Sequence, residues 1–552
     1  MALDPAIVTN EPPSSQSPVA ARHSAWRTRA ALGLFLILVV SYYWFFFSAG
    51  RFSSWPDSGH FYDTQAEGFR AGHLYTTELP HRQLLRLPNP YDYANSSLWT
   101  WDYSLYDGHL YLYWGLTPAA GLALIKSALR LAAPVGDSVI VFCFLCVRLL
   151  AGSLLIRALA QRFAPVPPRW ALWLALLVFA VAHPTPFLLA RPAIYEAALT
   201  GGACFVVCAY YFAFRWLGGA PAAAQLRWLA AASASLGLAG TTRPSLLPAA
   251  ALFTLLLFAR SAIELLPRVW RRLRGHSPAA AAGPEGAPGR ALLRSGAAAF
   301  LPFSALTLLH LLVNQLRFGS WKEFGVSYQL GIPFDIGPSY LLANAWNYSF
   351  HPWHVSCRFP FLMPRWHETV PLQFHLPSWL AIPEGYYGYE PLTGLVNALP
   401  FCWLLLGFPL AALWTRWRGP SWTSSAEQRS SWRWFGAILL VITLVSSVPI
   451  LMLFAFSMRY EAEFTSGIIL LSSLAGWRWL SLPRSRVGRS LANIAYGGAA
   501  LLSVVLAAPF GFTGYYDLFR NNNPELFATL QETLSTCPAS AGGCPTMRGC
   551  GP

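Results

Sequence analysis

Charge is scarce in this chain. Of its 552 residues only 11% are Asp, Glu, Lys or Arg, against about 25% in soluble domains. Aliphatic and aromatic residues make up 55%. With so little charge no soluble domain stands apart, and the chain reads as an integral membrane protein. Its apolar runs are long and continuous, whereas a membrane barrel shows only weak alternation, so the spans are helices.

Acids are scarcer than bases, 24 against 39, giving a net charge of +15. The surplus is not a nucleic-acid footprint. Seven arginines lie between Arg260 and Arg294, and others cluster at Arg416, Arg418, Arg429 and Arg433 and at Arg478, Arg484, Arg486 and Arg489. Basic residues in short gaps between spans mark the cytoplasmic side. No nucleic-acid partner is expected, and the lipid bilayer is the first partner of the chain.

Soluble-enzyme motifs are also missing. There is no phosphate-cradling glycine loop with its lysine, no paired-histidine metalloprotease helix and no nucleophile elbow. A transferase built this way does not take its donor from a soluble nucleotide sugar; an activated lipid fits better.

Twelve hydrophobic stretches are present: 31–49, 113–131, 138–158, 169–188, 195–216, 226–241, 244–262, 295–316, 393–414, 434–457, 464–480 and 491–510. Two polar stretches interrupt them, 50–112 and 317–392. The fold class is therefore an all-α polytopic membrane protein, with about 11–13 transmembrane helices and two large extracytoplasmic loops. Residues 1–30 read as a disordered cytoplasmic tail, 31–510 as the membrane domain, and 511–552 as an extracytoplasmic tail containing cysteines. One conflict is built in. Both loops face outside only if an even number of spans separates them, and seven stretches do. Stretch 113–131 carries Pro118, Lys126 and Arg130, and 226–241 is short; the sequence leaves open which fails to span.

Cys143, Cys146, Cys204, Cys208 and Cys402 lie in spans as small hydrophobes. The Cys143/Cys146 pair has no second pair at zinc spacing, so it reads as packing. Cys357 lies in the second loop, and Cys537, Cys544 and Cys550 in the tail, where disulfides persist outside the cytoplasm. One bridge within the tail is compatible with this, and connectivity is not deducible.

What stands out is the polar chemistry at span junctions, where charge is expensive. The first span is followed by Trp55-Pro56-Asp57-Ser58-Gly59-His60-Phe61-Tyr62-Asp63, a carboxylate-bearing aromatic loop at the membrane boundary. This loop also holds Glu67, Glu78, Asp92, Asp102 and Asp107. Arg191, Tyr195 and Glu196 bracket the start of one span, Arg243 lies in Gly240-Thr241-Thr242-Arg243-Pro244, and Arg459, Glu461 and Glu463 open another. Topology puts all of them on one face. Taken singly, each also reads as a helix-end anchor or a structural ion pair. Together they suit a phosphate-linked substrate.

These residues resemble the GT-C superfamily of polytopic membrane glycosyltransferases, especially its bacterial, polyprenyl-phosphate-sugar-dependent branch. The family's acidic residue in the first outer loop is matched by Asp57, followed by Phe61, Tyr62, Ala66 and Gly72. Its aromatic return to the membrane is matched by Tyr111-Leu112-Tyr113-Trp114-Gly115-Leu116-Thr117-Pro118. Its glycine-rich span ending in a basic residue resembles Gly237 to Pro244, and its late Arg-Tyr pair resembles Arg459-Tyr460 with Glu463-Phe464. Phe318 to Gly325 looks like the start of the family's second outer loop. The family's second acid at the first site is Ser58 here, which leaves Asp57 and Asp63 both open as the base.

The resemblance implies an enzyme of the plasma (inner) membrane with its active face outside. It would move a sugar from a polyprenyl-phosphate carrier to an acceptor hydroxyl on a glycan, lipid or protein. Asp57 or Asp63 would be the base, Arg243 and Arg459 would bind the donor phosphate, and His60, Tyr62, Asp102, Glu196 and Glu463 would contact substrate. Tyr62, Trp99, Trp101, Tyr103 and Tyr111 could stack on sugars, though an interfacial aromatic belt has the same composition. A divalent metal ion between Asp57 and Asp102 or Asp107 is compatible with the sequence but not required by it. Two other readings stand beside this one: a transporter or flippase for a lipid-linked or anionic solute, and a non-catalytic membrane assembly protein. No internal repeat favours the transporter.

Overall fold

The computed structural model describes residues 18–53, 55, 59–163, 166–218, 222–274, 288–332, 334–365, 390–407, 409, 426–482, 484–513 and 517–537. The chain separates into a short unit, Met1–Tyr42, and a large one, Tyr43–Pro552. Helix α1, Pro18–Phe47, begins inside the stretch expected to be disordered.

The main helices follow in order: α2 Phe61–Arg70, α3 Thr117–Leu129, α4 Asp137–Arg162, α5 Arg169–Val181, α6 Thr185–Ala190, α7 Ile194–Trp216, α8 Ala222–Thr242, α9 Leu247–Leu273 and α10 Pro288–Phe318. After the second loop, which holds α11 Leu341–Phe350, come α12 Leu395–Ala398, α13 Ala426–Leu451, α14 Ala462–Leu480, α15 Arg486–Ala507, α16 Leu518–Asn522 and α17 Pro524–Leu534. The protein is an all-α polytopic membrane protein.

Among the described residues eight helical stretches are long and apolar enough to cross a membrane: Arg29–Phe47, Asp137–Arg162, Arg169–Ala190, Ile194–Trp216, Pro244–Arg271, Pro288–Phe318, Ser430–Leu451 and Arg486–Gly511. The sequence expectation was larger, and the difference has physical causes. Helices α8 and α14 are long enough, but Ser233, Ser235, Thr241 and Thr242 dilute the one and Thr465, Ser466, Ser472 and Ser473 the other. All eight of these side chains are buried. Several of them bond the carbonyl one turn back in their own helix, as Thr242 Oγ1 does with Leu238 O at 2.6 Å. Stretch 393–414 opens as α12 and a 3-10 turn, Pro400–Leu406; residues 408 and 410–414 lie outside those described. Helix α3 has 13 residues, about 20 Å at 1.5 Å per residue, short of the ~30 Å hydrocarbon core. Without α3 the number of spans between the two loops is even, which removes the conflict in the sequence topology.

The loops are built against each other. In the first, β1 (Ser104–Tyr106) pairs antiparallel with β2 (His109–Tyr111). Asp107 and Gly108, both at positive φ, close the hairpin, the conformation a two-residue turn of this type needs. Ser104 Oγ donates to Gly325 O at 2.7 Å, Leu330 N donates to Tyr103 O at 2.8 Å and Asp102 N to Leu330 O at 3.2 Å. Cys357 of the second loop is disulfide-bonded to Cys537 of the tail. The bridge thus joins tail to loop; Cys544 and Cys550 lie outside the described residues. The described parts of both loops and of the tail are thus held together by these contacts.

Candidate functional site

Three charged residues stand immediately before prolines at helix junctions: Arg191-Pro192, Arg243-Pro244 and Glu390-Pro391. A residue before proline is pushed out of the helical region. Arg243 accordingly has φ −137° and ψ 96° just beyond α8. A fourth junction is the 3-10 turn Met458–Glu461 between α13 and α14, which carries Arg459 and Tyr460. The first turn of α7 supplies Tyr195 and Glu196. Gly115, where the first loop returns, lies so close to the end of α8 that a Cβ there would be 2.1 Å from Thr241 O. This contact brings Tyr113 and Trp114 over the same junction.

These junctions surround a cavity of about 380 Å³, whose lining includes Trp101, Asp102, Tyr113, Trp114, Tyr195, Arg243, Glu390, Arg459 and Tyr460. Behind the wall the charges are paired. Arg243 Nε lies 2.7 Å from Glu463 Oε1, and Ser245 Oγ donates to the same carboxylate at 3.2 Å. Arg459 Nη2 lies 2.5 Å from Glu390 Oε1 and Nη1 3.5 Å from Glu196 Oε1. Arg191 approaches Glu390 at 3.6 Å and Glu196 at 3.9 Å. The side chains of Glu196 and Glu463 are fully buried, where an unpaired charge would be costly.

Aromatic faces complete the arginine sites. The Arg459 guanidinium lies 4.0 Å from the Tyr195 ring centroid, and Arg243 lies 5.3 Å from that of Trp114 and 5.5 Å from that of Tyr460. Burial alone would lower the Arg459 pKa, but the carboxylates of Glu390 and Glu196 and the neighbouring tyrosines raise it, so its charge is secure. Among the described residues Arg459 Nε has no hydrogen-bond acceptor. Such a fixed, desolvated donor set suits an anionic oxygen. On the adjoining wall Asp102 Oδ1 accepts from Tyr195 Oη at 2.6 Å and from Tyr113 Oη at 3.3 Å.

The structure therefore brings together Asp102, Glu196, Arg243, Arg459 and Glu463 from the sequence-based set. It places Asp63 elsewhere. That carboxylate is buried, lies 2.6 Å from Lys126 Nζ and accepts from Val135 N at 3.1 Å. Lys126 also meets Glu67 at 2.6 Å, and its hydrogen bond is the main cause that holds the Glu67 carboxyl below the ordinary value. This is an anchor of the first loop on α3. His60 is the N-cap residue of α2. Tyr62 is fully buried, with no hydrogen-bond partner for its hydroxyl among the described residues. Asp57 lies outside the described residues.

Sequence reading missed three groups. Glu390 shared the charged-residue-before-proline signal of Arg191 and Arg243, and could have been found by it. Asp137 at the start of α4 accepts from Phe61 N at 3.1 Å and Tyr62 N at 3.0 Å, so it satisfies the open end of α2; nothing local marks that partnership. The third is His183, which forms a fully buried pair with Glu461, the last residue of the turn that carries Arg459; of the two, the sequence had marked only Glu461. For a divalent ion, no group of three or more His, Cys, Asp or Glu is placed to hold one among the described residues, and Asp57 lies outside them.

No protein-family model matches the chain, and no curated protein matches it in sequence. Solved structures do. The chain is similar to the archaeal oligosaccharyltransferase AglB from Archaeoglobus fulgidus, solved with an inhibitory peptide and a dolichol-phosphate, at 14% identity and TM-score 0.41, covering 93% of this chain and 60% of that one. The apo form of the A. fulgidus oligosaccharyltransferase matches at 15% identity and TM-score 0.37, over 91% and 59%. This chain thus spans about 60% of the length of that enzyme. It is also similar to ArnT from Cupriavidus metallidurans bound to undecaprenyl phosphate, at 12% identity and TM-score 0.39, over 91% and 79% of the two chains.

Proposed function

We propose that this protein is a membrane glycosyltransferase that moves a sugar from a polyprenyl-phosphate carrier to an acceptor hydroxyl on the outer face of the plasma (inner) membrane. The observation that carries the reading is the placement of two guanidiniums, Arg243 and Arg459, and the Asp102 carboxylate on the wall of one cavity. Transfer from a phosphate carrier uses both, cations for the leaving phosphate and a carboxylate toward the acceptor.

In the proposed step an acceptor oxygen attacks the anomeric carbon of the donor. The new C–O bond forms as the bond from that carbon to the phosphate oxygen breaks, and the electron pair stays on the departing polyprenyl phosphate. The acceptor proton passes to a carboxylate base. Arg459 and Arg243 stabilise the charge that grows on the phosphate. Glu196 and Glu463, which face arginines, are positioning residues. Asp63 is committed to Lys126, so the base is assigned to Asp57, whose loop leads through His60 and Tyr62 into α2. Asp102 faces the substrate. No step is routed through a metal ion.

The test is direct. Full-length protein in liposomes is given a synthetic polyprenyl-phosphate sugar labelled in the sugar, together with a mixture of glycan, lipid and hydroxyl-bearing peptide acceptors. Cleavage with release of polyprenyl phosphate, lost in Arg459→Ala and not fully restored in Arg459→Lys, is expected. Movement of the uncleaved lipid between leaflets, unaltered by either change, would establish the transporter reading instead.

A further inference from the structure

The cavity has two unlike walls. One is apolar, made by residues such as Ile332, Phe334, Ile336, Leu453 and Phe454. It suits the prenyl side of a donor lipid. The other carries Trp101 and Asp102, consecutive residues that both line the cavity.

Trp101 is not an incidental surface aromatic. It remains 42% exposed while two rings pack against it at steep angles, Trp99 at 5.3 Å and 68° and Tyr93 at 6.4 Å and 81°. Trp99 is itself fixed, buried and donating Nε1 to Pro90 O at 2.8 Å. Asp102 has φ 66°, an unusual conformation for a residue with a side chain, and the second loop holds its backbone through Leu330 O. Both tyrosine hydroxyls converge on Oδ1, and among the described residues no donor reaches Oδ2. A braced aromatic face with an adjacent carboxylate oxygen open to a cavity can stack on one side of a pyranose or furanose ring and accept its hydroxyls. A cation would instead be enclosed by several faces, and Trp99 is buried.

We infer that Trp101 and Asp102 form the acceptor subsite and that the acceptor is a carbohydrate, not a peptide or a simple lipid alcohol. This rests on the transfer reading above. The probes are neutral trisaccharides of glucose, galactose, mannose and arabinose, titrated into full-length protein in nanodiscs and read by tryptophan fluorescence and ligand-observed NMR. At least one should bind. Trp101→Ala should weaken it about tenfold, Trp101→Phe less, and Trp321→Ala, at an exposed tryptophan outside the cavity lining, not at all. Asp102→Asn should also weaken it. Undecaprenyl phosphate should bind Trp101→Ala as it binds the wild type. If no trisaccharide binds, if binding ignores Trp101, or if tetramethylammonium occupies the subsite instead, the inference is overturned. Failure of undecaprenyl phosphate to bind the wild type would bring down the transfer reading as well, which separates the two.

Discussion

The Arg459 guanidinium lies over the Tyr195 ring, 4.0 Å from its centroid. The same tyrosine gives its hydroxyl to Asp102 at 2.6 Å. One residue at the start of α7 thus sets both the cation and the carboxylate of the cavity. Tyr195→Phe keeps the ring beneath Arg459 and removes only the hydroxyl. A hydrogen bond to a charged acceptor is worth about 1.5–3 kcal/mol. Transfer should slow roughly ten- to a hundredfold, with affinity for undecaprenyl phosphate unchanged. Equal loss of both would mean that the ring and the hydroxyl are not separable.

Arg243 and Glu463 form the second unit. Glu463 has no exposed side chain, so Arg243→Ala leaves a buried charge without its partner. Losing one member of such a pair costs about 3–5 kcal/mol. Thermal unfolding in detergent should show a large loss for Arg243→Ala and a smaller one for the double change Arg243→Ala with Glu463→Ala. Transfer should be lost in both. A double variant less stable than the single one contradicts the pairing.

Asp57→Asn and Asp63→Asn should part company. Asp57→Asn should reduce transfer by about 10²–10⁴-fold with normal insertion, since it removes the base alone. Asp63→Asn leaves Lys126, whose side chain is 1% exposed, with only Glu67, so stability should fall while the residual folded enzyme keeps its turnover. An active Asp57→Asn with a dead but stable Asp63→Asn would reverse the assignment of the base.

The same anchor predicts an acid limb. The folded Glu67 pKa is lowered, chiefly by the hydrogen bond from Lys126. A lowered folded value means stability that is fully present above the unfolded value, near 4.5, and lost as pH falls through the folded one. The unfolding midpoint should therefore drop below about pH 4.5, and Glu67→Gln should flatten that drop. An unchanged acid limb in the variant would remove Glu67 from the anchor.

What was legible in the sequence was what is local. Apolar runs located the spans, and charges at span ends located Arg243, Arg459, Glu196 and Glu463 on one face. Helix α3, one of the two stretches the sequence left open, carries Pro118, Lys126 and Arg130 and has 13 residues. Partnerships were not legible, because they join distant segments. Lys126 claims Asp63, Asp137 holds α2, Tyr195 reaches Asp102, and Cys537 finds Cys357 across a separation of 180 residues.

The central claim is that the acceptor attacks the sugar while Arg243 and Arg459 receive the phosphate. It is tested most directly by following the bridging oxygen between the anomeric carbon and phosphorus. A polyprenyl-phosphate sugar carrying heavy oxygen at that atom is turned over by the full-length protein, and both products are weighed by mass spectrometry. The label should remain entirely in the released polyprenyl phosphate. Label in the transferred sugar would show that the phosphorus–oxygen bond breaks, and would contradict the role given to both arginines.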